Sequence, residues 1–555
     1  MENKYRYLYL PLTINHTPMK KFLLSAFVFA NVYFVAQNNK RPDNWFNLDP
    51  KTDNVYGVGT ERAYKELLKN KKSTTVIVGV IDSGVDFNHE DLKAVMWTNP
   101  GEIPDNNIDD DKNGFVDDIH GWNFIGGKDG KNVNDDNLEM TRLIRKLKPI
   151  YEGKTEKDFS GKKEKEELKL YEAAKKDYAT AKDNYQGGYN QLKFILETLK
   201  PLNTKLKSSL SKEKIELADL EAFNTSDKDD VKAKTIAISI LKRTNLENLD
   251  ALESELKPAL EQYKSMLDYG LNLDFDPRNI VGDDYANSQE HIYGNNDCNG
   301  PDSFHGTHVA GIIAAARNNG IGMDGIAADV RIMAIRCVPA GDERDKDVAN
   351  AIRYAVDNGA KIINMSFGKK YAWDKKVVDD AVKYAESKGV LLIHAAGNDN
   401  LDIDEITHYP CKKYGDKGEA TNFVDVGALN WQTGDKIVAP FSNYGKKTVD
   451  VFAPGVDIYS TTPKNGYKDA SGTSMASPVT CGVAAVLKSY YPNLTPQQIK
   501  KILIKSSNKD FKSQKVIKPG TKDEKIKFDK LGKNGGIVNL YEALKMAETF
   551  SNSKM

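Results

Sequence analysis

The sequence predicts an α/β fold built on a parallel sheet, and three observations support this. Short apolar runs have the length and composition of buried strands, and they occupy residues 76–81, 330–335, 361–365 and 390–395. Helix-like stretches, such as 347–358 and 375–388, separate successive runs. Strands and helices that alternate at this spacing are typical of crossover connections, which place helices on both faces of a parallel sheet.

Size and charge limit the classes of protein to consider. The chain has 555 residues, of which 40% are hydrophobic, so it has enough material for one large core and a second region. Its 79 basic and 79 acidic residues give a formal net charge of zero. This balance gives no reason to expect nucleic acid or an anionic membrane surface as a partner.

The composition changes between residues 134 and 273, where the sequence is rich in Lys and Glu. Apolar side chains recur there at helical spacing, for example at Leu168, Tyr171, Ala174 and Tyr178. We predict an α-helical hairpin or small bundle inserted into the α/β domain. A partly disordered charged linker is the alternative, because the apolar content is low.

The insert divides the α/β domain into residues 72–133 and 274–510. An N-terminal segment, 37–71, precedes the domain. A C-terminal extension, 511–555, follows it, and we expect this extension to pack on the domain.

The N-terminal region has the pattern of an export signal. Met19, Lys20 and Lys21 precede an apolar run of 15 residues that ends at Ala36. This predicts a signal peptide over 19–36, with residues 1–18 as an upstream extension. An uncleaved membrane anchor is the alternative, although a span needs roughly 20 residues. We therefore expect an exported protein, periplasmic or extracellular, with no stable membrane span after cleavage.

The four cysteines are too few and too scattered for a disulfide framework or a CxxC metal site. They are Cys298, Cys337, Cys411 and Cys481. Cys337 and Cys481 stand in apolar stretches, which predicts buried thiols. The sequence is still compatible with one disulfide bridge in an oxidising compartment.

Peptide hydrolysis without a metal needs a nucleophile, a base, a group that orients the base, and donors for the oxyanion. Asp82 follows the first apolar run, where a carboxylate is equally typical of a turn or a helix cap. His305 opens a helix of small residues. His308 stands three positions later, so the two imidazoles are also compatible with a metal site, but no further ligand in this segment completes the set.

Two further polar residues precede or follow predicted elements. Ser474 stands just before a helix of small residues, where the helix dipole favours developing negative charge, although a serine cap has the same appearance. Asn398 follows the run 390–395 and suits either a donor in a cleft or an ordinary turn.

Together, four segments resemble the signatures of subtilisin-like serine proteases, the subtilases. They are VIDSGVD around Asp82, HGTHVAG around His305, AAGN ending at Asn398, and GTSMASP around Ser474. Their chain order is also that of the family. The resemblance implies a three-layer subtilisin-like fold in which Ser474 is the nucleophile and His305 the general base and acid. It further implies that Asp82 orients the imidazole and that Asn398 donates to the oxyanion with the backbone N–H of Ser474.

The resemblance also implies a substrate class. Ser366, Phe367 and Gly368 would form one wall of the primary substrate pocket, and a protein or peptide substrate would bind there as an added strand. We therefore expect a secreted endopeptidase of broad specificity with a preference for apolar residues. The alternatives are an inactive subtilase-fold binding protein, or a processing protease of narrow specificity that the insert gates.

An acidic loop suggests a calcium site. Asp109, Asp111, Asn113 and Asp117 alternate oxygen side chains around a glycine that permits a sharp turn. No helix clearly precedes the loop, and His120 occupies the position of the final glutamate of an EF-hand. Subtilases often bind calcium for stability, so we expect a structural Ca²⁺ at these four residues. A solvated acidic turn is the alternative.

Overall fold

The computed structural model describes residues 41–42, 44–244 and 246–552. The predicted signal peptide, 19–36, and the extension before it lie outside the described residues. Contacts along the chain define two compact units. The helical unit contains the described residues 135–276, and the larger unit contains those before 135 and after 276.

A seven-stranded sheet forms the centre of the larger unit, and every pair of neighbouring strands in it is parallel. In chain order its strands are β1 (Val76–Asp82), β2 (Gly121–Asn123), β3 (Val330–Arg336), β4 (Ile362–Met365), β5 (Leu391–Ala395), β6 (Phe423–Leu429) and β7 (Val451–Pro454). Their order across the sheet is β2-β3-β1-β4-β5-β6-β7. The predicted α/β fold on a parallel sheet is confirmed.

Two antiparallel strand pairs complete the β-structure among the described residues. They are β8 (Ile458–Thr462) with β9 (Gly466–Ala470), and β10 (Lys515–Ile517) with β11 (Lys525–Lys527). The α-helices of the larger unit are α1 (Thr60–Ala63), α7 (Arg278–Val281), α8 (Phe304–Ala314), α9 (Asp345–Asp357), α10 (Lys375–Ser387), α11 (Thr473–Tyr490), α12 (Pro496–Ser506) and α13 (Leu540–Asn552). Those of the helical unit are α2 (Glu139–Tyr151), α3 (Lys162–Leu210), α4 (Leu217–Ala222), α5 (Lys228–Leu241) and α6 (Leu249–Ser265).

Helices cover both faces of the parallel sheet, which gives three layers. On β1, Val78 and Val80 pack in one apolar cluster with residues of α8 and α11. Ile77 and Ile81 point to the other face and pack in a second cluster with α9 and α10. Successive residues of a strand face opposite sides, so a strand buried on both faces carries apolar residues on both, as residues 76–81 of β1 do.

The N-terminal segment contributes to the core of the larger unit. Trp45, Phe46 and Val58 are completely buried in the same cluster as α8 and α11. The indole N–H of Trp45 donates to the carbonyl of Val456 at 3.2 Å. Residues 45–58 therefore belong to the folded larger unit.

The helical unit has its own apolar core. Leu199, Leu202 and Leu206 of the 49-residue helix α3 pack against buried residues of α5 and α6. Leu168, Tyr171 and Ala174 of the predicted stripe are buried, and the Tyr178 hydroxyl donates to the carbonyl of Leu271 at 2.7 Å. The predicted helical region is confirmed, and the disordered linker is wrong for this part of the chain.

All four cysteines lie within the described residues and have free thiols. Cys337 and Cys481 are completely buried, as predicted. Among the described helices, none combines the length and the apolar character that a membrane crossing requires.

Candidate active site

Three neighbouring strands end at one edge of the sheet and bring predicted site residues together. Ile81 of β1 pairs with Met365 of β4, which in turn pairs with His394 of β5. Asp82 and Ser366 directly follow the first two of these residues. Because adjacent strands lie about 4.8 Å apart, the two residues stand side by side at the carboxyl edge.

Asp82 and His305 form a hydrogen-bonded pair at this edge. His305 Nδ1 lies 2.7 Å from Asp82 Oδ1, which also accepts from the backbone N–H of Ser83 at 2.8 Å. The carboxylate is buried, whereas 27% of the His305 side chain is exposed. Gly306 permits this approach, because a Cβ there would lie 2.1 Å from the carbonyl oxygen of Gly84. The pair fixes Nδ1 and leaves Nε2 as the nitrogen that can exchange a proton with a reacting group.

Opposing effects act on the pKa of His305. Burial is the largest and lowers the pKa, because an imidazolium loses hydration there. The charge and hydrogen bond of Asp82, together with the charge of Asp302, outweigh burial and raise the pKa above its usual value of 6.5. The buried carboxylate thus stabilises a protonated imidazole, which is the form that a general base reaches during catalysis.

His308 plays a different part from His305. It is completely buried, and its Nε2 lies 3.0 Å from the carbonyl oxygen of Lys468. Burial lowers the pKa of His308 to about 4, so the ring is neutral near pH 7. Within the described ranges, the single set of three side chains close enough to share a metal ion includes neither histidine. The geometry therefore gives no support to a metal site at His305 and His308.

Ser474 is the second residue of α11 and contacts the end of β4. Its hydroxyl donates to the carbonyl of Ser366 at 3.0 Å, and the Ser366 hydroxyl donates back to the carbonyl of Ser474 at 2.9 Å. Ser474 therefore stands one strand away from Asp82. Among the described residues, no hydrogen bond joins the Ser474 hydroxyl to the His305 ring. Rotation about χ1 of Ser474 changes the direction of the hydroxyl, and such bonds commonly tighten only when a substrate is present.

The Asn398 side chain is oriented by its neighbours. Its Oδ1 accepts from the backbone N–H of Thr473 at 2.8 Å and from the Thr473 hydroxyl at 2.9 Å. Nδ2 is therefore the amide atom left to face the cleft. A Cβ on Gly472 would lie 3.5 Å from both Asn398 Nδ2 and the backbone nitrogen of Ser474. Two N–H donors thus face one small region beside the hydroxyl, an arrangement suited to a developing oxyanion.

The predicted pocket wall, Ser366 to Gly368, contacts Ser474 at one end and His408 at the other. The sequence analysis missed His408. A Cβ on Gly368 would lie 2.1 Å from Cε1 of His408, so the imidazole stands directly against this wall. The Phe367 carbonyl accepts from His394 Nε2 at 3.0 Å. His408 lies in an irregular loop between β5 and β6, where no periodicity or motif indicates its position.

The acidic loop brings together a different set of carboxylates from the predicted one. Oxygens of Glu102, Asp109 and Asp111 lie within 4.8 Å of one another, and the sequence analysis missed Glu102. Asn113 stays beside them, because its backbone N–H donates to both aspartates at 3.0 Å. The carboxylate of Asp117 instead accepts backbone N–H groups of residues 106 and 107. Three converging carboxylates are the oxygen ligands that a hard cation such as Ca²⁺ prefers.

Comparisons with known proteins agree on one family. The model of the subtilase family matches residues 73–525. A thermophilic serine proteinase of Bacillus sp. strain AK1 is 44% identical over 186 residues, which cover 33% of this chain and 42% of that protein. Subtilisin DY of Bacillus licheniformis is 36% identical over 37% of this chain and 69% of its own length. Thermitase of Thermoactinomyces vulgaris is 40% identical over 33% of this chain and 61% of its own length. The chain thus spans less than two thirds of two of these three relatives.

Proposed function

Because the chain belongs to the subtilase family, we propose that it is a serine endopeptidase in which Ser474, His305 and Asp82 form the catalytic triad. The observation that carries this proposal is the 2.7 Å contact between His305 and Asp82, one strand away from Ser474. A buried carboxylate on Nδ1 fixes the imidazole tautomer whose Nε2 can take a proton.

In the proposed reaction, the Ser474 oxygen attacks the carbonyl carbon of the scissile peptide bond while His305 Nε2 takes the hydroxyl proton. The negative charge that develops on the carbonyl oxygen is met by Asn398 Nδ2 and the backbone N–H of Ser474. His305 then gives its proton to the leaving amine as the C–N bond breaks, which leaves an acyl ester on Ser474. A water molecule, activated by the same imidazole, hydrolyses the ester.

The local structure stabilises the negative charge that develops on the carbonyl oxygen. Ser474 lies in the first turn of α11, so the positive end of the helix dipole faces the developing oxyanion. Asn398 needs no reorganisation during the reaction, because Thr473 already holds its oxygen. Donors that are fixed in advance stabilise a transition state more than mobile ones do.

A fluorophosphonate probe tests the proposal, because it labels an activated serine. We expect labelling of the wild type and loss of labelling in Ser474→Ala. The matched control is Ser387→Ala at the exposed end of α10, which should label like the wild type. Absence of labelling in a folded wild type would instead favour the alternative, an inactive binding protein on the same fold.

We also propose a structural Ca²⁺ bound by Glu102, Asp109 and Asp111, with Asn113 beside it. The support is the convergence of three carboxylates in one loop of the larger unit, since close anions repel one another unless a cation intervenes. Chelation should lower the melting temperature of the wild type. Asp111→Asn should abolish this shift, and the surface variant Asp129→Asn should retain it. An unchanged melting temperature after chelation would contradict the site.

We propose that the protein is exported, since the predicted signal covers residues 19–36. Cleavage after Ala36 leaves Arg41 in the product, and Arg41 forms a 2.9 Å ion pair with Asp469 in the larger unit. We therefore expect protein recovered from the periplasm or medium to begin at Gln37, which N-terminal sequencing measures. Recovery only in the membrane fraction would favour the uncleaved anchor.

A further inference from the structure

An imidazole stands between the two backbone segments that flank the proposed nucleophile. Gly368 belongs to the segment after β4, and a Cβ there would lie 2.1 Å from His408 Cε1. Gly397 belongs to the segment after β5, and a Cβ there would lie 3.0 Å from His408 Nε2. A Cβ on Gly368 would collide with the ring, and a Cβ on Gly397 would make a tight contact with it. We call the space between these segments the slot.

The slot is the place where a substrate side chain must enter. Ser366, two residues before Gly368, contacts the Ser474 hydroxyl, and Asn398, next to Gly397, supplies an oxyanion donor. A carbonyl group held by this donor and attacked by Ser474 belongs to the residue that precedes the scissile bond. The Cα of that residue is bonded to the carbonyl carbon, so its side chain starts close to Ser474. The nearest space for this side chain is the slot.

The His408 ring is held in the slot by packing. Its centroid lies 5.9 Å from that of His394, which is fixed by Asp425 at 2.8 Å and by the Phe367 carbonyl at 3.0 Å. Nδ1 of His408 is buried and has no hydrogen-bond partner among the described residues. Removal of the ring therefore breaks no hydrogen bond at Nδ1, and the surrounding structure should tolerate a smaller residue.

Behind the ring lies a small cavity of about 40 Å³, lined by His394, Thr407, His408, Lys412 and Asp425, among others. The ring thus stands between this cavity and the slot. Burial, followed by the nearby charge of His394, lowers the pKa of His408 to about 3. The ring is therefore neutral near pH 7, so it acts on a substrate through its volume and not through a charge.

We propose that His408 restricts the residue before the scissile bond to short side chains, namely Gly, Ala and Ser. This inference rests on the proposed endopeptidase function and narrows its substrate class. An aromatic side chain such as Phe would need the space that the imidazole occupies. Substitution of His408 by a small residue joins the slot to the cavity behind it and makes room for the aromatic ring.

Tetrapeptide p-nitroanilides that differ only in their last residue, Ala or Phe, test this proposal with the full chain. The wild type should have a kcat/KM for the Ala substrate at least about tenfold above that for the Phe substrate, since pocket size discriminates on that scale. In His408→Ala the Ala-to-Phe ratio should fall by about tenfold or more. His408→Gln, which keeps most of the volume, should retain the wild-type ratio. His291→Ala, which removes an exposed imidazole of the larger unit, should match the wild type.

The outcomes separate this inference from the function on which it rests. A wild type that labels with fluorophosphonate but prefers Phe, or a folded His408→Ala variant with an unchanged ratio, would overturn the role of His408 alone. A folded wild type that neither labels nor cleaves would overturn the proposed function. Should His408→Ala not fold, cleavage of a random peptide library by the wild type still decides the matter. Aromatic residues before the cut would contradict the proposal, and Gly, Ala and Ser would support it.

Discussion

Replacement of Asn398 by alanine removes one of the two N–H donors that face the proposed oxyanion. The backbone N–H of Ser474 remains, so the transition state should lose one charge-assisted hydrogen bond. Removal of one such donor typically costs about 2.7 to 4 kcal/mol, or about 10² to 10³ in kcat. KM should change little, because the ground-state carbonyl carries far less charge than the tetrahedral intermediate. We therefore expect kcat to fall by about two to three orders of magnitude.

The same substitution also removes the acceptor for two donors of Thr473. Thr473 is completely buried, so the loss of this acceptor should lower the free energy of unfolding by about 1 to 3 kcal/mol. This is less than the total stability of a typical folded domain. The loss of activity should therefore appear in protein that is still folded.

Steady-state kinetics on a peptide substrate, together with a urea titration, measures both effects. Asn358→Ala, at the end of α9 and away from the site, is the matched control and should keep the wild-type kcat. A folded Asn398→Ala variant whose kcat stays within about threefold of the wild type would refute the assignment. A fall of kcat that only parallels the unfolded fraction would also refute it.

Three further predictions follow from burial and charge. Because only a neutral imidazole can take a proton and the pKa of His305 is raised, kcat/KM should increase with pH through a midpoint above 6.5. A midpoint below 6.5 in a pH profile would contradict the Asp82 contact. His308 binds its proton near pH 6.5 when unfolded but near pH 4 when folded, so its contribution to stability, up to about 3 kcal/mol, is lost as pH falls from 6.5 to 4. Between pH 6.5 and pH 4, urea titrations should show a smaller loss of unfolding free energy in His308→Gln than in the wild type. An equal loss in the two proteins would contradict this. Trp45→Ala should lower the free energy of unfolding by about 3 to 5 kcal/mol, and an unchanged thermal melt would show that the N-terminal segment is dispensable.

The sequence was sufficient to predict four of the seven strands of the sheet, because these strands are buried on both faces. Such a strand is largely apolar, as residues 76–81 are, and this pattern is visible without knowledge of the neighbouring strands. β2, β6 and β7 were missed. The apolar run of β6 is interrupted by Asp425 and Gly427. β2 has three residues and β7 has four, so neither run is long enough to stand out from the surrounding loops.

Motifs indicated Asp82, His305, Asn398 and Ser474, and the structure places all four around the ends of β1, β4 and β5. The sequence could not show which way the Ser474 hydroxyl points, because a χ1 rotamer depends on contacts with β4 that form only in the fold. The calcium prediction shows the same limit. Asp109 and Asp111 are close in sequence, whereas Glu102 joins them through the path of a loop that has no local signal.

His408 shows why specificity is harder to predict than chemistry. Asp82 ends β1 and Asn398 closely follows β5, so the strands that predict the fold also predict where these two side chains lie. A residue that fills a substrate pocket comes from a loop, and the backbone that surrounds it decides whether it enters the pocket. In this chain the two glycines that admit the imidazole, Gly368 and Gly397, stand 29 positions apart, and His408 follows the second by 11. Each glycine alone is typical of a turn, and only the pairing of β4 with β5 brings both against the His408 ring. The width of the pocket is therefore a property of the assembled sheet edge, although every motif that surrounds it is local.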